Sequence, residues 1–307
     1  MTEPGGDLDG ALVVDKPPGV TSHDVVAVVR RTLGRPKVGH TGTLDPAATG
    51  VLPLLIGRAT RLSQFLTLER KAYDAGVRLG WATTTYDAEG MALEAPDAPL
   101  PEAELVDAAL SRFRGPHLQT PPPVSAKKVG GRRAYALARS AQPVALPPVP
   151  VEVFELERLW VEGPLVRLRV ECSAGFYVRA LAHDLGAALG TDAHLASLRR
   201  TRSGPFGLEG ALTLEQIAGA DVDALRRRTV PMAALLPQLP ELRLTDAGAR
   251  RVGHGHAAGP ADLMTGDGTR LATVQAGDRV RLVDQAGRLV AVAEARLPAL
   301  HPLVVLG

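Results

Sequence analysis

"VEVFELERLWVEGPLVRLRVECSAGFYVRALAHDLGAALG", residues 151–190, changes its apolar period part-way along. In VEVFELERLWVEG and LVRLRVECS, apolar side chains alternate with polar or charged ones, the signature of paired antiparallel strands half exposed to solvent. From Val178 the period lengthens, and Val178, Leu181, Ala182, Leu185 and Leu189 trace one face of a helix that Gly190 stops. Two adjacent strands followed by one helix are not the βαβ alternation of a doubly wound sheet. The expectation is an α+β fold with a mixed, mainly antiparallel sheet.

The flanking sequence extends that reading. ALVVDKPPG (residues 11–19) is a short strand ended by Pro17, Pro18 and Gly19, and KAYDAGVRLG (71–80) alternates as another. TSHDVVAVVRRTLG (21–34) predicts a helix with Ser22 as N-cap and Gly34 as its stop. GVLPLLIG (50–57) is too short for a typical helix and reads as a buried strand, whereas PEAELVDAALSRFRG (101–115) predicts a helix with Pro101 at its start. Leu118 to Pro150 is rich in Pro, Gly and cations, with helix-like periodicity at Arg133 to Arg139, and predicts a long excursion from the core. After Pro240, alternation with a turn at DQAG (284–287) predicts a small β-rich domain. The boundaries are therefore 1–239, with an insertion at about 118–150, and 240–307.

Hydrophobic residues make up 45% of the 307-residue chain, which is ordinary for a core-forming protein. No apolar run approaches the roughly 20 residues of a membrane span, and the acidic N-terminus lacks a signal pattern. Cys172 is the single cysteine, so no internal disulfide can form. These features predict a cytoplasmic protein without membrane contact. Net charge is only +2, so overall basicity does not announce a polyanion partner. Of the 35 Lys and Arg residues, only Lys16, Lys37, Lys71, Lys127 and Lys128 are lysines, all near the front of the chain. A lysine in so arginine-rich a sequence can mark a place where a forked guanidinium would not serve.

The stretch KVGHTGTLDPAATGVLPLLIG (37–57) sets one acid, Asp45, among small residues and benders. A lone carboxylate can ligate a metal, act as base or nucleophile, or cap a turn, and a turn cap before Pro46 is its commonest use. His40 is near, but no second ligand stands at metal spacing, so no metal is expected. Nor does the loop hold the second acid of a glycosidase pair. The pair His254 and His256 in GHGH lacks a further ligand as well and predicts a surface loop.

GHTGTLDPAATGVLP resembles the catalytic motif of the TruB-type tRNA pseudouridine synthases. LVVDKPPGVTSHDVV, KAYDAGVRLGWATTTYDAEG, PPPVSAKKVGGRRAYALAR, CSAGFYVRALAHDLG and LASLRRTRSGPF resemble further motifs of that family in the same order, and the tail resembles its small RNA-binding PUA domain. The resemblance implies a pseudouridine-synthase core with a thumb-like insertion, and no cofactor. It implies isomerisation of the uridine at position 55 in the tRNA T-loop, possible help in tRNA folding, the T-arm as partner without guide RNA, and action as a monomer. Asp45 maps to the nucleophile, Arg179 to the cation that pairs with it, and Tyr73 to the ring that stacks on uracil and assists at C5. Tyr177 and Leu198 map to apolar walls, and Asp87 to an acid near the base. His40 is expected against the flipped nucleotides, and Lys16, Lys127, Lys128, Arg132 and Arg133 on phosphates. Arg199, Arg200, Arg202 and Arg226 to Arg228 are expected to extend that basic surface. Phe176 stands where the family usually has Thr, which leaves the local hydrogen bonding open.

Overall fold

A computed structural model describes residues 8–34, 37–124, 128–129, 132–133, 146–266 and 271–307, with backbone alone at 128–129 and 132–133. The strands are β1 (Gly10–Lys16), β2 (Val38–His40), β3 (Thr49–Ile56), β4 (Lys71–Leu79), β5 (Gly115–Gln119), β6 (Lys128–Val129), β7 (Arg132–Arg133) and β8 (Val149–Glu162). They continue as β9 (Leu165–Cys172), β10 (Ala193–Ser203), β11 (Phe206–Gly207), β12 (Val230–Pro231), β13 (Glu241–Arg243), β14 (Arg279–Val283), β15 (Leu289–Arg296) and β16 (Ala299–Val305). The helices are α1 (Ser22–Leu33), α2 (Ser63–Leu66), α3 (Ala103–Leu110), α4 (Val178–Leu189), α5 (Leu214–Gly219), α6 (Val222–Arg228) and α7 (Asp246–Gly253).

The ten-stranded main sheet runs β12-β1-β3-β10-β4-β9-β8-β5, with β2 and β11 at its margins. Every pairing in it is antiparallel except β3 with β10, which meet in parallel over Arg199 with Thr49 and Arg200 with Gly50. This two-pair seam joins the halves of the sheet, and it depends on a glycine. Gly50 has φ +100°, and a Cβ there would lie 2.1 Å from the Arg200 carbonyl oxygen. No L side chain fits that approach.

The expected α+β architecture is present, and the periodicity explains the packing. β4, β8 and β9 alternate because one face packs on α3 and α4, around Val77, Leu110, Leu168, Leu181 and Leu185. β1 and β3 do not alternate because both their faces are covered. Leu12, Val14, Leu52, Leu54 and Ile56 pack on α1, α5 and α6, while Ala11, Val13, Val51 and Leu55 share a core with Val283, Leu289, Val292 and Val304 of the second sheet. That four-stranded sheet, β13-β14-β15-β16, begins at Glu241, and its DQAG turn closes with Gly287 N–H donating to Asp284 O at 3.0 Å.

Two boundary expectations need correction. Thr21, not Ser22, caps α1, because the Thr21 hydroxyl and the Asp24 carboxylate form a reciprocal capping box. Glu102 is the N-cap of α3, so Pro101 lies just outside the helix. The excursion leaves and returns at one point on the sheet edge, since Gln119 pairs with Val149 in the β5–β8 ladder. Its helix-like centre beyond Arg133 lies outside the described residues.

Candidate active site

Asp45 sits in the loop between β2 and β3, and both neighbours are tied down. Leu44 donates its N–H to the Ser22 hydroxyl at 2.9 Å and accepts from it through its carbonyl at 3.0 Å. Pro46 O accepts from Gly19 N–H at 2.9 Å and from Lys16 Nζ at 3.0 Å. Lys16 also donates to Pro17 O and Val20 O, and it is wholly buried. The expectation that Lys16 grips phosphate is therefore corrected: the ammonium spends its donors on carbonyls that shape the Asp45 loop. Burial pushes its pKa down, opposed chiefly by the charge of Asp45.

The pleat of β4 and β10 builds the opposite wall. Alternation puts Lys71 and Tyr73 on one face of β4, and Leu198 and Arg200 on the matching face of β10, where Tyr73 and Arg200 are direct cross-strand partners. With Thr41 to Asp45, Thr67 and Ser173 to Arg179, these four line a cavity of about 280 Å³. Burial pushes the Tyr73 phenol up, and the charge of the neighbouring Arg200 opposes the shift. Arg200 is buried, donating through Nε to Val51 O at 2.7 Å and through Nη2 to Gly42 O at 3.1 Å. It is thus no part of a basic surface, contrary to expectation. Lys71 donates to Thr67 O and Glu69 O at 2.6 and 2.5 Å, and burial lowers its pKa to about 8.

Arg179 lies in the first turn of α4 and closes the site. Its Nε stands 3.1 Å from Asp45 Oδ2 and its Nη1 3.3 Å from Asp87 Oδ2, while Nη1 also donates to Thr85 O at 3.3 Å. One guanidinium so bridges two carboxylates 42 positions apart in sequence. Its side chain is 9% exposed and that of Asp45 43%, so the cation is enclosed while the acid still faces the cavity mouth. Asp87 is itself fixed, accepting at Oδ1 from the Thr85 hydroxyl at 2.6 Å and Glu89 N–H at 3.1 Å.

Tyr177, the N-cap of α4, is held by a side chain that sequence reasoning missed. Buried Gln119 donates through Nε2 to Tyr177 O at 3.0 Å and accepts at Oε1 from Tyr177 N–H at 2.8 Å, completing a strand-like pair. Nothing in the local pattern of Gln119 marks that role. Phe176 is buried against the edge of His117 at a centroid distance of 6.3 Å and lines the cavity with its ring.

His40 lies outside the cavity lining. Its Nδ1 accepts from Gly42 N–H at 3.3 Å, its ring meets His23 edge-on, and burial followed by the nearby His23 and Arg200 lowers its pKa. Arg199 pairs in bidentate fashion with Asp15 at 2.7 and 3.1 Å, Arg202 pairs with Glu171, and Arg226 with Asp223. Lys127 lies outside the described residues, as do the side chains of Lys128, Arg132 and Arg133. His254 Nδ1 lies 2.7 Å from Arg250 O at the end of α7, and among the described residues no cluster of three metal-binding side chains occurs.

Residues 30–178 match the model of the TruB family pseudouridylate synthase N-terminal domain, and 179–237 that of the tRNA pseudouridylate synthase B C-terminal domain. A tRNA pseudouridine synthase B from Solibacter usitatus (strain Ellin6076) is 48% identical over 97% of this chain and 100% of its own length. The chain belongs to the TruB family. A second relative of the same name, from Thermobifida fusca (strain YX), is 44% identical over 97% of this chain and 98% of its own length. Among solved structures, an H/ACA RNP bound to a substrate RNA containing 2'-deoxyuridine aligns with a TM-score of 0.74 at 27% identity, covering 100% of this chain and 92% of that one. A Cbf5-Nop10-Gar1 complex aligns equally well at 30% identity, over 100% of this chain and 91% of that one. TruB membership, with relatives named tRNA pseudouridine synthase B, makes the chain an isomerase. Among the described residues no helix is long and apolar enough to cross a membrane.

Proposed function

We propose that this protein converts a uridine in the T-arm of tRNA to pseudouridine, with Asp45 as the nucleophile. The observation that carries the reading is the Asp45–Arg179 contact of 3.1 Å at the mouth of a cavity walled by Tyr73, Tyr177 and Leu198. The relatives' names supply the RNA class.

The chemistry breaks the bond from ribose C1′ to uracil N1 and makes one from C1′ to C5. C5 gives up a proton and N1 gains one, so no redox partner is needed. A carboxylate attack at C1′ or at C6 opens the route, and either requires an ionised acid in a site that excludes water. Arg179 keeps charge opposite Asp45 there, and Asp87 and Thr85 O keep the guanidinium aimed. Tyr73 is held as the neutral phenol, so its first part is a flat wall for the base. A part in moving the C5 proton depends on Arg200, whose charge favours the phenolate. The uridine must leave its stack to enter, at a cost of a few kcal/mol. His40 is assigned to the flipped nucleotides as a neutral hydrogen-bonding ring. Lys127, Lys128, Arg132 and Arg133 are assigned to phosphates, the 118–150 insertion to closing over the arm, and the sheet from Glu241 onward to further RNA contact as a PUA-like domain. We place the enzyme in the cytoplasm as a monomer.

The test is an unmodified T-arm hairpin carrying tritium at uridine C5, incubated with purified protein alone. Tritium release by the wild type, abolished in Asp45→Asn with hairpin affinity retained, is the expected result. Release by Asp45→Asn would overturn the nucleophile. The likeness to H/ACA assemblies raises a guide-dependent reading. A wild type inert on the bare hairpin would favour it.

A further inference from the structure

The segment between Thr83 and Asp87 carries two costly features at one contact. Tyr86 has φ +67°, a left-handed conformation that a bulky side chain rarely adopts. Its ring stacks flat on His183, with centroids 3.8 Å apart and planes 3° from parallel, and the buried His183 Nδ1 has no hydrogen-bond partner among the described residues. Neighbouring structure holds both in place. Tyr86 N–H donates to Thr83 O at 3.3 Å, Tyr86 O accepts from Leu195 N–H at 2.9 Å, and the Thr83 hydroxyl donates to Asp87 O at 2.6 Å.

The position of the stack gives it a use. Tyr86 lies between Thr85 and Asp87, whose carbonyl and carboxylate are the two acceptors for Arg179 Nη1. His183 follows Arg179 by four residues on α4, so the two side chains occupy one helix face a turn apart. The ring pair is therefore a tie between the element that carries the guanidinium and the turn that aims it. We infer that Tyr86 and His183 are positioning residues that set the angle at which Arg179 meets Asp45. Neither touches the reacting atoms, and the inference rests on the proposed activity.

The test measures kcat and KM of the full-length protein on the unmodified T-arm hairpin. His183→Leu fills the volume without a flat face, and Tyr86→Gly relieves the left-handed backbone while deleting the ring. His183→Phe and Tyr86→Phe keep two flat faces in contact. The expected result is a loss in kcat of about ten- to a hundredfold for His183→Leu and Tyr86→Gly, with KM within about twofold. Both Phe variants should stay within about threefold of wild type. A wild-type kcat in His183→Leu, or Phe variants as impaired as the other two, would overturn the stack's role. So would a loss confined to KM. A wild type without activity on the hairpin would instead overturn the functional reading beneath it, so the two failures separate cleanly.

Discussion

The helix beside the cavity and the sheet beneath it handle buried cations differently. On the helix side, Arg179 meets carboxylates, Asp45 and Asp87. On the sheet side, Lys16, Lys71 and Arg200 donate to backbone carbonyls of Pro17, Val20, Pro46, Thr67, Glu69, Val51 and Gly42. Charge paired with charge leaves an acid whose reactivity can be directed. Charge paired with carbonyls makes loops rigid and leaves no anion to react. The first arrangement suits chemistry, and the second suits holding the parts that do it.

The sharpest way to break this contrast is Arg179→Ala. It should cut kcat by about a hundred- to a thousandfold, the scale for losing a preorganised electrostatic partner. Arg179→Lys should restore little, because an ammonium cannot span both acids. Stability should drop by about 1–3 kcal/mol, less than for a fully buried pair because Asp45 stays partly solvated. Rates from steady-state assays and midpoints from urea titration check both.

Lys16→Met tests the other side. It strands carbonyl groups and should cost about 1–3 kcal/mol in urea unfolding. The decisive readout is salt. A phosphate contact contributes close to one unit to the slope of log affinity against log salt. Lys16→Met should leave the slope on the hairpin unchanged, and a slope reduced by about one would restore the phosphate role.

Lys71 gives the pH signature. Its pKa in the folded protein is lowered to about 8, below the ordinary value of 10.5, so the unfolded chain holds the extra proton between those limits. Stability from this group therefore rises as pH climbs from about 8 towards 10.5. Cys172, pushed up to about 12, and Tyr73, also raised, pull the other way in the alkaline range. The difference between wild type and Lys71→Met isolates the lysine, and a wild type that gains nothing over the variant from pH 8 to 10 contradicts the assignment.

The smallest effect should come from Gln119→Ala, which takes the Gln119 amide away from the Tyr177 N–H while Tyr177 O still accepts from Leu181 N–H. A loss of about 1 kcal/mol, with kcat down only severalfold, is expected from chemical denaturation and initial rates.

Much of this was legible from residues 151–190, because a change of apolar period records which faces are covered. That Asp45, Tyr73 and Arg179 line one cavity was readable only through motif resemblance, since a lone Asp in a Pro-Gly loop is physically an ordinary turn cap. The surface roles assigned to Lys16 and Arg200 failed for one reason. Sequence shows a charge but not the carbonyls that will surround it, and those come from chain segments as far as 158 positions away, as with Arg200 and Gly42. Gln119 and the Tyr86–His183 stack were invisible for the same cause, because their partners meet only after the sheet has closed.

Gly50 sets the final tolerance. The Asp45 loop belongs to one half-sheet and the Leu198 wall to the other, and they meet where β3 touches β10 over two residue pairs. A methyl group at Gly50 would wedge that joint apart before reaching any reactive atom. The spacing between Asp45 and the Leu198 wall is thus calibrated by a missing side chain, as a gauge block calibrates an instrument it never enters.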